Sequence, residues 1–241
     1  MNRLSVMLLA LLVLSGCATM QSKVADHVRP MVVEQELDSS ELLDVAIVIF
    51  DSEELTDDEI SELGLSEEIR RAEERYMPIQ LKYTMQRTGY WGAVRVVPTP
   101  SKAHLQVRGT IVHSDGEQLI LEIEAYDSRN VKWFEKSYAE ELRLSEYSGI
   151  APEKKDPFQD VYNTIANDLA AHREKLTAED FQDIQQVSEL RAAHDMAPDT
   201  FDGHLAVDKD GNYKIVRLPA DSDPMLQRVR AIQLRDEMLL D

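Results

Sequence analysis

Three blocks in the middle of the chain alternate apolar and polar residues. They are His104–His113 (HLQVRGTIVH), Leu119–Tyr126 (LILEIEAY) and Val131–Tyr138 (VKWFEKSY). The turn sequences Ser114-Asp115-Gly116 and Asp127-Ser128-Arg129-Asn130 join them. Alternation is the two-residue period of a strand, and links this short connect antiparallel neighbours. The pattern predicts a three-stranded antiparallel meander with one buried and one wet face.

Upstream, Leu42–Phe50 (LLDVAIVIF) is a nearly continuous apolar run rich in β-branched residues. Such a run reads as a central strand buried on both faces. Asp51–Leu65 is strongly acidic and reads as a loop with a short helical turn, a solvated face rather than a cation site. Ser66 is a candidate N-cap, with Glu67 and Glu68 in the first turn, where the helix dipole favours anions. Ile69, Ala72, Tyr76, Ile79, Tyr83 and Met85 then recur at helical spacing. Pro78 predicts a kink or break near Met77, and Gly89 is a helix-ending residue. Ala93–Val97 (AVRVV) reads as a second strand, closed by Pro98.

Downstream, Ser148–Asp156 reads as a linker. Pro157–Leu176 predicts a helix with Phe158, Val161, Ile165, Leu169 and His172 on one side. Thr177-Ala178-Glu179-Asp180 has the form of a capping box, with Asp in place of Glu. It opens a helix to about Ala197, with Phe181, Ile184, Val187, Leu190 and Ala193 inward. Leu205–Val207 and Tyr213–Leu218 flank Asp208-Lys209-Asp210-Gly211-Asn212 and predict a small hairpin. Pro224 starts a last helix to Leu240, with Met225, Val229, Ile232, Leu234 and Met238 as its stripe. The expected fold class is α/β (α+β): a mixed sheet with a three-stranded antiparallel meander and a packed helix, followed by a mainly helical C-terminal region.

The apolar fraction of 43% is enough for a core. The chain carries 26 Lys and Arg against 45 Asp and Glu, a formal net charge of −19. That balance argues against nucleic acid as a partner and against electrostatic adhesion to anionic lipid.

The beginning of the chain has a different character. Arg3 is its first charge, and Leu4–Leu14 is almost wholly apolar. This matches the positive and hydrophobic regions of a secretory signal; at about eleven residues it is too short for a membrane span, which needs about 20. Leu14-Ser15-Gly16-Cys17 follows and holds the single cysteine of the chain. This segment resembles the lipobox of bacterial lipoproteins. The resemblance implies cleavage between Gly16 and Cys17, thioether lipidation of Cys17 and acylation of the new amino terminus. Several acyl chains hold a protein stably where one does not. Ala18, in place of the Asp common in lipoproteins kept in the inner membrane, implies the periplasmic face of the outer membrane. The expected organisation is a signal peptide at 1–16, a lipidated tether at 17–40, an α/β domain at 41–147 and the mainly helical region at 148–241.

Within the body, Ala103–Ile111 (AHLQVRGTI) is similar to a segment of periplasmic lipoproteins of the curli-secretion and penicillin-binding-protein-activator type. These share a fold with the TolB amino-terminal domain. His104 stands where that group usually has Asp. Leu121–Trp133 is similar to the following turn segment, without its Thr-Gly. The resemblance spans roughly residues 42–140 and implies the same strand, helix and meander order. Auxiliary lipoproteins of lipid-transport systems show a similar strand-hairpin rhythm.

Little in the sequence points to catalysis. The six histidines, His27, His104, His113, His172, His194 and His204, form no HExxH and no metal-ligand spacing with a carboxylate. The Asp208–Asn212 segment lacks the Gly and Glu positions of a calcium loop. Nucleophile-elbow, phosphate-loop and dinucleotide motifs are absent. His113 and Ser114 are neighbours, but the sequence places no orienting acid beside them. Tyr90 and Trp91, between Gly89 and Gly92, are either core or, if exposed, a candidate partner contact. The expectation is a non-enzymatic accessory or scaffolding lipoprotein of a cell-envelope assembly, without cofactor or metal, held at the outer membrane and binding an envelope protein. The alternatives are a lipid-transport auxiliary protein and, in another class, an envelope hydrolase.

Overall fold

The computed structural model describes residues 21–25, 27–53, 66–142 and 156–240. The expected signal segment, the acidic stretch after Glu53 and all of the expected Ser148–Asp156 linker but Asp156 lie outside them. Strand β1 is Gln21–Lys23. A 3-10 turn at Ser39–Glu41 leads to β2, Val45–Val48, and β3, Asp51–Ser52. Helix α1, Glu67–Gln86, is followed by β4, Val94–Val97, and by the meander β5, Leu105–Ser114, β6, Gln118–Asp127, and β7, Lys132–Glu141. The C-terminal region comprises α2, Gln159–Arg173; α3, Ala178–Met196; α4, Pro198–Phe201; β8, Leu205–Val207; β9, Tyr213–Ile215; and α5, Pro224–Leu240. The fold class is α/β (α+β), with a mixed sheet and then a mainly helical region.

The main sheet runs β1-β7-β6-β5-β2-β4, with β3 continuing alongside β5. The meander is antiparallel throughout, with Gly109 opposite Ile123 and Ile123 opposite Lys136. Along β6, Leu119, Leu121, Ile123 and Ala125 are fully buried, while Ile120, Glu122, Glu124 and Tyr126 between them are half-exposed. Strand β2 lies between β4 and β5, parallel to both. Its residues Val45, Ala46 and Ile47 are accordingly buried on either face. Helix α1 packs on β4, β2 and β3, α2 packs on β7, and the two helices touch. Leu81, Met85, Ile165 and Leu169 share one core with Leu121, Ile123 and Ile47.

Pro78 does not break α1, which runs unbroken from Glu67 to Gln86. Proline lacks the N–H that would bond the carbonyl four residues back, here that of Glu74. The Phe50 backbone N–H, freed where β2 gives way to β3, donates to the Glu74 carbonyl at 3.0 Å. Ser52 Oγ donates to the Glu74 carboxylate at 2.8 Å. Two backbone groups that would otherwise be orphaned thus satisfy each other and fasten helix to sheet. The Phe50 ring lies against Gly109, where an added Cβ would meet its carbons at 2.7 Å.

The expected tether at 17–40 is corrected from Gln21 onward. Strand β1 adds in parallel to the free edge of β7, with Gln21 opposite Ser137 and Lys23 opposite Ala139. Beyond it the chain runs along α2 as a strap. Asp160 accepts from the His27 N–H, and Asn163 Nδ2 donates to the Val28 carbonyl. The Asn167 amide donates to the Arg29 carbonyl and accepts from the Met31 N–H. Arg173 donates to the Glu41 carbonyl at 2.6 Å. A polar, irregular sequence is docked here because side-chain amides meet its extended backbone.

In the C-terminal region the Thr177–Asp180 capping box forms as expected. Leu190, Ala193, Phe201, Leu226 and Val229 make a second small core. The stripe expected on α5 is shifted, since Leu226 and Val229 are buried while Ile232 and Leu234 are exposed. The hairpin is present, with β9 ending at Ile215 rather than Leu218.

Candidate functional site

Gly16 and Cys17 lie outside the described residues. Strand β1 begins at Gln21, four residues after Cys17. The described residues from there to Glu41 are held by the sheet edge, by α2 and by the Val33 N–H bond to the Thr88 carbonyl at 2.9 Å.

Tyr90 and Trp91 are buried, at 8% and 7% exposure, so they form no exposed contact patch. The aromatic loop turns inward because α2 and β7 offer it matching surfaces. Trp91 lies 6.4 Å from Trp133, and Trp133 stacks on His172 at 4.6 Å with the rings 14° apart. The Arg173 guanidinium sits 5.6 Å from the Tyr90 ring and 5.0 Å from that of Phe181. Tyr90 donates its hydroxyl hydrogen to Glu174 at 2.9 Å. Burial, helped by that hydrogen bond to a carboxylate, raises the Tyr90 pKa. Burial lowers those of His172 and Arg173. Together these residues join the strap, α2 and β7 into one packed unit, and their chemistry is that of a core.

His113 and Ser114 point apart, as neighbours in a strand do. The Ser114 hydroxyl donates to Glu73 at 2.7 Å, while His113 Nε2 pairs with Asp115 at 3.0 Å. Burial raises the pKa of Glu73, with the Ser114 bond opposing the shift. The serine proton is therefore not directed at the histidine. His104 Nδ1 accepts the Asp44 N–H at 2.9 Å, and Asp44 Oδ1 accepts the Ala93 N–H at 2.7 Å. This pair ties the start of β5 to the loops before β2 and β4. Asp208 folds its own loop by accepting the Asp210 and Asn212 N–H groups. That loop docks on the β6–β7 turn through Asn130 and the Tyr213 N–H. Among the described residues no group of three or more His, Cys, Asp or Glu is placed to hold a metal ion. No helix among them is long and apolar enough to cross a membrane.

The apolar repeat that the sequence shows along α1 lies mostly on its outward face. Ile69, Tyr76 and Tyr83 are 56%, 47% and 53% exposed, whereas Met77, Leu81, Thr84 and Met85 face the core. Their seven-residue spacing is the signal that two apolar faces share this helix.

No family model and no curated protein matches the chain. Among solved structures, the chain is similar to a PelC variant from Paraburkholderia phytofirmans, determined as a dodecamer. The identity is 14%, over 61% of this chain and 93% of that one, with a TM-score of 0.33. At that score the likeness carries no inference about this chain.

Proposed function

We propose that the chain is a lipoprotein held by Cys17 at the periplasmic face of the outer membrane. There it serves as a non-enzymatic accessory or scaffolding component of a cell-envelope assembly. The supporting observation is the placement of β1. The hydrophobic segment and the lipobox-like Leu14–Cys17 are followed, four residues after Cys17, by strand β1 at a sheet edge. The leash between them spans at most roughly 14 Å, at about 3.5 Å per extended residue. On this reading the body rests close to the bilayer, and its protein partner is met at the membrane surface.

The test is affinity isolation of the full chain from detergent-solubilised envelope. Co-purification of a stable multi-protein assembly, lost on release of the lipid anchor, supports the reading. A lone protein that hydrolyses envelope substrates overturns it.

A further inference from the structure

We infer that the outward face of α1 is a self-association surface, on which a second copy of this chain packs its own α1 antiparallel. Four observations converge on it.

The first is periodicity. Ile69, Ala72, Tyr76, Ile79 and Tyr83 occupy alternating three- and four-residue steps, the seam spacing of paired helices. At about 100° per residue this seam lies roughly 150° around the helix from the core-facing row of Met77, Leu81 and Met85. It is a separate face at Ile69, Ala72 and Tyr83, and at Tyr76 it adjoins α2, where the Tyr76 hydroxyl hydrogen-bonds to Asp156.

The second is exposure. Ile69, Tyr76 and Tyr83 are each about half exposed, and Ala72 is exposed beside them. Large apolar side chains repeated along about 21 Å of one helix face form a continuous strip, unlike isolated surface residues.

The third is net charge. The chain as a whole carries −19, which repels a second copy. Helix α1 carries Glu67, Glu68, Glu73 and Glu74 against Arg70, Arg71, Arg75 and Lys82, and is neutral. It is a place where two copies of an acidic chain meet without that penalty.

The fourth is charge order, which sets the direction. The first turn is acidic, through Glu67 and Glu68, while Lys82 and Arg87 lie at the other end. In an antiparallel pair centred near Tyr76, Ile69 of one copy meets Tyr83 of the other, and Glu68 meets Lys82. A parallel pair would set Glu68 beside Glu73 and Lys82 beside Arg87 across the seam, like against like. Arg75 meets its twin at the antiparallel axis, where its exposure leaves the charge in water. The surface does not depend on how the chain is anchored.

The test uses two differently tagged full-length copies expressed in the same cells, one with Glu68→Cys and the other with Lys82→Cys. The cells are oxidised and the products separated without reductant. The expected result is a mixed Glu68→Cys/Lys82→Cys dimer, at least fivefold above either like-with-like dimer. Adding Ile69→Glu and Tyr83→Glu should lower it at least tenfold without moving the thermal midpoint, since both positions are exposed. The proposal is overturned by an absence of cross-linking, by like-with-like dimers in excess, by insensitivity to the two Glu substitutions, or by cross-linking to a different protein in place of the mixed dimer.

Discussion

Gly109 and Phe50 are a matched pair. The ring occupies the space a Cβ would need, so a side chain at 109 must displace it from a packed core. Gly109→Ala is expected to cost about 1–3 kcal/mol, the range for overpacking. In a double-mutant cycle read by denaturant unfolding, Phe50→Leu should recover part of that loss. Simple additivity would show that the contact is not the constraint. His104 carries a different kind of constraint. Burial lowers its pKa below the ordinary 6.5, against the opposing pull of Asp44. Its Nδ1 must stay unprotonated to accept the Asp44 N–H. A folded-state pKa below the unfolded one means that the unfolded chain takes up the proton first. The contribution to stability is therefore complete above about pH 6.5 and is lost as pH falls below it. The thermal midpoint should drop between pH 7.5 and 5.5. His104→Asn, which keeps an acceptor but cannot titrate, should flatten that slope in part, leaving the share of His172, whose pKa is also lowered. An unchanged slope in His104→Asn would contradict the assignment.

At the scale of elements, the meander was legible because its period of two has no helical alternative, and its turns are marked by Asp, Ser, Asn and Gly. Helix α1 was legible in extent but not in orientation. Its clearest apolar repeat, Ile69 to Tyr83, faces outward, and periodicity alone cannot say which of two apolar faces meets the sheet. The Pro78 position was informative in an unexpected way, since the missing N–H is used by the neighbouring strand. Pro78→Ala restores a helical donor to the Glu74 carbonyl. It should increase amide-exchange protection across Arg75–Lys82 and reduce that of the Phe50 amide, about fivefold for a bond of roughly 1 kcal/mol. Equal protection of Phe50 in both proteins would show that the strand bond does not depend on the proline. The strap at 21–41 reads as a linker because its composition is that of one. Its order comes from β7 and α2, more than a hundred residues away, and no local pattern encodes such partners.

For the whole molecule, the strand order sets β1 and β4 at opposite edges of the sheet. Five strand steps of about 4.8 Å separate them by roughly 24 Å. If Cys17 is the anchor, the β1 edge lies nearest the bilayer, and α1, which packs over β4, lies on the far side. In vesicles bearing the lipidated chain, nitroxide-labelled headgroups should quench a fluorophore at Lys23→Cys several-fold more than one at Gln86→Cys. Equal quenching would contradict the short leash. Leu14-Ser15-Gly16-Cys17 can be read as a lipobox because such a motif is a local word, and it lies outside the described residues. The sequence alone does not decide between core and contact for Tyr90 and Trp91, because the surfaces that bury them come from distant elements. The proposed anchor stands or falls on the covalent state of Cys17. Mass spectrometry of the amino-terminal peptide from envelope-purified protein tests it directly. The expected result is a chain that begins at Cys17 and carries both thioether-linked and amide-linked acyl groups. A peptide retaining residues 1–16, or a Cys17 with a free thiol, would contradict it.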